Sequence, residues 1–278
     1  MKTINYAIDF IIKNPAKIYK FVLFTWCKMF GINPEIKLGN IKMVLDLDAH
    51  VDRNLFFNGV VDPDLKTFIE KYLKEDGVFF DIGANSGYFS IIAASNAPKG
   101  TVYSFEPVPR TFNNLKKTVH ANGNKNISLF KFCIGGKNGS TTFNISHSSD
   151  VSGMKQTEYQ TNISKIKTKV VNLDTFIVEH KIKVIDMVKI DTEGAEFEII
   201  SNSPNLINKI RPILVVEFSN KTSKPYNFTP AKLHEYLLKK NYLIYRFKRE
   251  RLTKQKIKEV YEENLFCIPR EKSKQLMK

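Results

Sequence analysis

The sequence predicts an α/β fold built on an open, mostly parallel sheet, and three observations carry that prediction. An apolar run, Val78-Phe79-Phe80, is closed by Asp81 and followed by a turn holding Gly83 and Gly87 before a helical segment opens at Tyr88. A second apolar run, Val102 to Phe105, ends in Glu106-Pro107. A helical segment from Arg110 to Asn122 then leads to a third strand, Ile127 to Cys133. Strands that alternate with helices in this way pair in parallel through right-handed crossovers. The glycine turn brings bare backbone and a helix N-terminus to a ligand, because glycine lacks the Cβ that blocks approach and the free amides point outward. An acid closing the next strand accepts hydrogen bonds from the two hydroxyls of a ribose. Together they read as a nucleotide-type pocket.

Ahead of this unit, residues 4–30 carry apolar positions at helical spacing, broken at Asn14-Pro15, and fit two helices. Two readings stay open for them. They cover the core, or the basic and aromatic stretch 17–30, with Lys17, Lys20 and Lys28 around Phe21, Phe24, Trp26 and Phe30, lies on a membrane interface. Ile41 to Leu47 is strand-like, Asp48 to Asp64 holds turn residues around Phe56 to Val61, and Leu65 to Leu73 is a short amphipathic helix.

Past the third strand, Gly135 to Gly139 is a turn and Thr141 to Ile145 a short strand. Ser146 to Lys165 is polar with almost no apolar period, and reads either as a substrate-side flap or as disorder. Ile166 to Leu173 is strand-like and Asp174 to Glu179 a short helix. Met187 to Ile190 is a fourth core strand ending in Asp191-Thr192-Glu193-Gly194-Ala195-Glu196, and Ile213 to Val216 a fifth, ending in Glu217. A helix from Thr229 to Asn241 and two strands, Leu243 to Phe247 and Leu265 to Ile268, close the fold.

Composition bounds the function classes. With 278 residues, 42% of them hydrophobic, the chain buries a substantial core. The net charge of +15 comes mostly from lysines scattered along the whole sequence, which reads as compositional bias or as an anionic partner. Three dispersed cysteines make neither a disulfide framework nor a zinc site, which points to a reducing, cytoplasmic setting with peripheral membrane contact as an option. The first residues are too interrupted by charge and Pro15 to read as a cleavable signal or a membrane span.

Ligands of open parallel sheets bind beyond the carboxyl ends of the strands, where Asp81, Glu106, Asp191 and Glu217 fall. Glu196 and Glu198 lie in the first turn of a helix and are explained by its dipole. Asp191 precedes that helix at the strand tip and, with Glu193, is a candidate for chemistry. His147 in the polar stretch is a weaker candidate base. No lysine of the phosphate-loop type follows the glycine turn, which disfavours ATP-dependent phosphoryl transfer.

Four ordered motifs carry a resemblance: Asp81-Ile82-Gly83-Ala84-Asn85-Ser86-Gly87-Tyr88, Phe105-Glu106-Pro107, Leu173-Asp174-Thr175-Phe176, and Lys189 through Glu196. Together they are similar to the FkbM family of S-adenosylmethionine-dependent methyltransferases, over roughly residues 45–247, with Gly59 to Pro63 matching a further upstream stretch. The resemblance implies a Rossmann-like class I methyltransferase fold, with a seven-stranded sheet, helices on both faces and an antiparallel last strand. Residues 1–45 would be a helical extension and 46–278 the transferase domain. It implies that Asp81, Gly83, Ala84, Asn85 and Gly87 line the methionine end of the cofactor. Glu106, with Pro107, would hold the ribose, and Cys133-Ile134 would flank the adenine. Gly135-Gly136 stand where members often carry an acidic or polar residue, which puts side-chain recognition of the adenine amino group in question.

The implied reaction is methylation of a hydroxyl on a saccharide or glycan, free or lipid-linked. Asp191 or Glu193 would act as base, or the two together would hold a divalent metal. The alternatives are another small metabolite, a nucleic acid, or a non-catalytic membrane-associated module that keeps the fold. The absence of an aromatic-flanked Asn-Pro-Pro-Tyr-type segment disfavours methylation of exocyclic base amines.

Overall fold

The computed structural model describes residues 15–146, 152–155 and 163–276. Pro15–Phe30 is helix α1, followed by a hairpin of Glu35–Leu38 (β1) and Ile41–Val44 (β2) and by helices His50–Asn58 (α2) and Pro63–Tyr72 (α3). Then come Val78–Ile82 (β3), Tyr88–Asn96 (α4), Thr101–Phe105 (β4), Pro109–Asn122 (α5) and Ile127–Phe130 (β5). Cys133–Gly135 (β6), Gly139–Ser146 (β7) and Ile163–Asn172 (β8) precede Leu173–Glu179 (α6). Met187–Ile190 (β9), Glu196–Ser201 (α7), Ile213–Ser219 (β10) and Pro230–Lys239 (α8) complete the wound part. Tyr242–Lys248 (β11), Arg251–Lys254 (β12), Glu262–Pro269 (β13) and Arg270–Leu276 (α9) end it.

Alternation along the central strands fixes the layers. Phe80, Val188, Leu214 and Val216 face one side of the sheet, where they meet Phe176 of α6, Ile199 of α7 and Leu233 of α8. Their neighbours Phe79, Met187, Ile213 and Val215 face the other side, against α2, α3 and α4. A strand buried on both faces has no polar register, so its sequence reads as a continuous apolar run.

The strand order is β12-β11-β13-β10-β9-β3-β4-β5. β10, β9, β3, β4 and β5 pair in parallel, while β13 is antiparallel to both β10 and β11. The chain winds outward from β3 in both directions, through β4 to β5 and through β9 to β10. The switch point therefore lies at β3 and β9, and the carboxyl ends of β3, β4, β9 and β10 share one edge.

The expected sheet of seven strands is one of eight. β12 returns from β11 through Arg249 and Glu250, both left-handed at φ 49° and 61°, as in a two-residue hairpin turn. Neither is Gly, Asn or Asp, so the turn left no signature. The expected third strand, 127–133, divides: β5 stays in the main sheet and Cys133-Ile134 enter a second sheet of order β6-β8-β7. The turn expected between Asp48 and Asp64 contains helix α2, whose C-cap is Gly59, left-handed at φ 77°. The Asn58-Gly59 pair thus ends a helix instead of linking strands.

Of the expected polar flap, Ser146 and residues 163–165 belong to strands, and Gly153 bridges Asn144. His147 and the rest of the stretch apart from 152–155 lie outside the described residues, as do positions 4–14 of the expected N-terminal helices. The β1–β2 hairpin is held to α5: Val44 N donates to Thr118 Oγ1 at 3.1 Å, and Lys42 N to Asn122 Oδ1 at 2.8 Å.

Phe176 stands at the centre of an aromatic cluster. Its ring lies 4.9 Å from those of Phe105 and Phe130 and stacks on His180 at 3.9 Å. Phe176→Ala removes a buried ring from behind the β4 tip, with an expected loss of about 3–5 kcal/mol, read as a lowered midpoint in urea unfolding with an unchanged slope.

Candidate active site

The carboxyl ends of β3, β4 and β9 converge on a cavity of about 400 Å³. Its floor is the glycine turn. Gly83 is left-handed at φ 79°, and a Cβ there would sit 1.9 Å from the carbonyl oxygen of Asp191, so β9 reaches its position only because residue 83 has no side chain. The Gly83 and Ala84 amides both donate to Phe105 O, at 3.1 and 3.0 Å, which ties the turn to the β4 tip.

Glu106, buried at that tip, accepts from Asn85 N through Oε2 at 3.1 Å and from Val108 N through Oε1 at 2.9 Å. A carboxylate offers about four acceptor directions. Each oxygen therefore keeps one, and Glu106 lines the cavity. Burial raises its pKa to about 7, against the pull of the two amides.

Beneath the turn lies a buried ionic group. Lys189 is the cross-strand neighbour of Asp81 and follows the β9 face down to Asp191. Its Nζ lies 3.4 Å from Asp81 Oδ1 and 3.3 Å from Asp191 Oδ2, and donates to Gly83 O at 3.1 Å. The second Asp81 oxygen accepts from Ser90 Oγ at 2.6 Å, and Ser90 Oγ accepts from Ser104 at 2.8 Å. Burial would lower the lysine's pKa, but the two carboxylates outweigh it and hold the ammonium charged well above the usual lysine range.

The loop after β9 is shaped by Glu196, which accepts from Thr192 N at 2.8 Å, Thr192 Oγ1 at 2.9 Å and Gly194 N at 3.2 Å. It folds Asp191 and Glu193 toward the cavity, with Glu193 left-handed at φ 58°. Glu217 at the β10 tip accepts from Thr222 Oγ1 at 3.2 Å. Burial, then the charges of Asp191, Glu193 and Glu196, raise its pKa well above the carboxylate range. Among the described residues, no group of three or more His, Cys, Asp or Glu side chains has the geometry to hold a metal ion.

Of the residues singled out from sequence, Gly83, Ala84, Asn85, Glu106, Pro107, Cys133, Ile134, Asp191 and Glu193 line the cavity. Asp81 and Gly87 do not. Asp81 is fully buried behind the turn with Lys189, and Gly87, at φ 93°, gives room to Leu115 of α5, whose Cδ1 would lie 2.5 Å from a Cβ. Both shape the turn from behind.

Sequence reasoning missed Lys189, although a lysine inside the apolar run Met187 to Ile190 was a signal. It also missed the rim. Asp46, Asp48 and Arg110 line the cavity, with Arg110 paired to both acids. Asp52 of α2 accepts from Ser86 Oγ at 2.6 Å and so joins the rim to the turn. Lys189→Met would leave Asp81 buried without its countercharge and is expected to destabilise the fold by about 3–5 kcal/mol in chemical denaturation.

Residues 81–244 match the Methyltransferase FkbM domain. The chain is 24% identical over 154 residues to the hexuronic acid methyltransferase AglP of Haloferax volcanii, across 55% of this chain and 61% of that one. It is 27% identical over 161 residues to the 2-O-methyltransferase NoeI of Sinorhizobium fredii, across 53% and 65%. The matches thus span less than two thirds of these curated relatives. Among solved structures, a methyltransferase FkbM from Methylobacillus flagellatus aligns with 14% identity and a TM-score of 0.47, over 76% of this chain and 49% of that one.

Proposed function

The chain belongs to the FkbM methyltransferase domain family, and from that premise we propose that it moves a methyl group from S-adenosylmethionine to a hydroxyl oxygen of a saccharide. The observation that carries the reading is Glu106, whose two oxygens each keep one acceptor direction for a ribose hydroxyl beside a glycine turn. The residues present fit the cofactor. The cavity is of small-molecule size, and Phe132, Ile134 and Met154 give it an apolar wall suited to a purine. The sugar acceptor is supported by two relatives, the hexuronic acid methyltransferase and the 2-O-methyltransferase, and residues 46–278 are taken as the transferase domain.

When bound, S-adenosylmethionine supplies a methyl already activated by its sulfonium charge. The chain's part is to orient the acceptor oxygen and take its proton. Lys189 pairs with Asp191 Oδ2, which orients the carboxylate and leaves Oδ1 to accept the proton. Glu193 stands beside it on the cavity wall as a second acceptor for the substrate's hydroxyls. A divalent metal shared by the two carboxylates is the alternative route, and sensitivity to a chelator separates it from proton abstraction.

Only ionised Glu106 offers both oxygens to the ribose donors, so cofactor affinity should follow its charge. With a pKa of about 7 in the free protein, affinity is expected to rise as the pH passes from 6 to 8, with a proton released on binding near neutrality. Calorimetry in buffers of different ionisation enthalpy reads that proton. Glu106→Gln should flatten the dependence and weaken binding about ten- to a hundredfold.

Asp191→Asn keeps the side chain's size and removes the charge. Turnover on a confirmed glycan acceptor is expected to fall about 10²- to 10⁴-fold with cofactor affinity nearly unchanged. Near-normal turnover would move the base to Glu193.

A further inference from the structure

Among the described residues, each cation that lines the cavity is already held by two carboxylates. Lys189 at the base lies between Asp81 and Asp191. Arg110 at the rim grips Asp46 through Nε and Nη2, at 2.5 and 2.6 Å, and Asp48 through Nη2 at 2.7 Å. The lining acids outnumber these cations: Asp46, Asp48, Glu106, Asp191 and Glu193 border the same space. The two stretches between β7 and β8 that lie outside the described residues, 147–151 and 156–162, contain no lysine or arginine in their sequence.

The charges balance at the rim and not at the base. Lys28 pairs with Asp48 from the side of α1, so two cations there meet two acids. Below, two carboxylates share the one ammonium of Lys189, and Glu193 adds its own charge on the same wall.

That imbalance selects among sugars. A hydroxyl donates to a carboxylate in a charge-assisted hydrogen bond, so the lining suits a polyol. A ring carboxylate is acceptor-only when ionised. It would find both lining cations taken and would be set against Asp191 and Glu193, and like charges brought together at a desolvated site discriminate strongly against the partner that carries them. The base points the same way, because an alcohol must lose its proton to react, whereas a carboxylate acceptor has none for Asp191 to take.

We propose that the ring methylated in this cavity is an uncharged sugar held through its hydroxyls, and that the lining rejects a ring bearing a carboxylate, with Asp46 and Asp48 enforcing the rejection by keeping Arg110 from the substrate. The inference rests on the saccharide methyltransferase reading and narrows it.

Matched pairs of methyl glycosides test it: glucose with glucuronic acid, galactose with galacturonic acid, and mannose with mannuronic acid. Each is offered to the full chain with S-adenosylmethionine labelled in its methyl group. In whichever pair is methylated, the neutral member is expected to have a kcat/KM about tenfold or more above its uronic partner. The same order is expected in saturation-transfer spectra of the glycosides with the chain loaded with S-adenosylhomocysteine. Asp46→Asn with Asp48→Asn frees Arg110 and should raise the uronic-to-neutral ratio about tenfold or more, and Arg110→Ala added to that pair should remove the gain. A ratio taken within one variant cancels any change in its folded fraction or cofactor binding.

A uronic acid methylated as well as its neutral partner, or better, overturns the proposal and leaves the saccharide reading standing. A ratio that the double variant does not move overturns the part given to Arg110. A chain that binds S-adenosylhomocysteine, yet neither methylates any of these glycosides nor shows saturation transfer to one, loses the saccharide reading and this inference with it.

Discussion

The candidate site depends on a charge buried at the base of the cavity. Lys189 is 4% exposed inside a sheet covered on both faces, and it is compatible with that position only because Asp81 and Asp191 flank it. An isolated ammonium there would lose its proton or unfold the sheet. The backbone ladder that pairs Phe79 through Ile82 with Met187 through Ile190 sets Lys189 opposite Asp81, and the lysine adds a hydrogen bond to Gly83 O. The glycine turn, the Asp191 carboxylate and the switch point between the strands are therefore joined through one cation.

From that object the rest of the site is built by hydrogen bonds to backbone. Glu106 collects two amides, one from the turn and one from the chain entering α5; Glu196 collects the amides and hydroxyl of the loop after β9. Each acid satisfies a bend that no regular element satisfies, and each is buried at a cost those bonds offset. The result is a cavity whose walls are rigid strand tips and whose rim, from Asp46 to Arg110, is joined by surface ion pairs that are individually weak. A stiff floor with a looser rim suits a site that holds one ligand by fixed groups and admits a second from outside.

The parallel core, its winding and the acids at the strand tips were legible because apolar runs, glycines and terminal acids report local events. Asp81 shows where that legibility ends. It opens the glycine motif and looks like a lining residue, yet its side chain points behind the turn to Lys189, a contact set by strand register across 108 residues of chain. The rim was illegible for the same reason: Asp52 meets Ser86 and Arg110 meets Asp48 only after the fold brings α2 over the turn. β12 was missed because Arg249 and Glu250 adopt left-handed conformations without the residues that favour them. The helix at His50 was read as turns because its C-cap, Asn58-Gly59, uses the same residues that turns use.

The central claim is that the Glu106 carboxylate and the turn held by Lys189 form a nucleoside site opening on Asp191. A crystal structure of the chain with S-adenosylhomocysteine tests it most directly. The account predicts both ribose hydroxyls within hydrogen-bonding distance of the two Glu106 oxygens, with the purine on the Phe132–Ile134 wall and the sulfur turned toward Asp191. A ligand bound elsewhere, or bound in the cavity with its ribose away from Glu106, would contradict it.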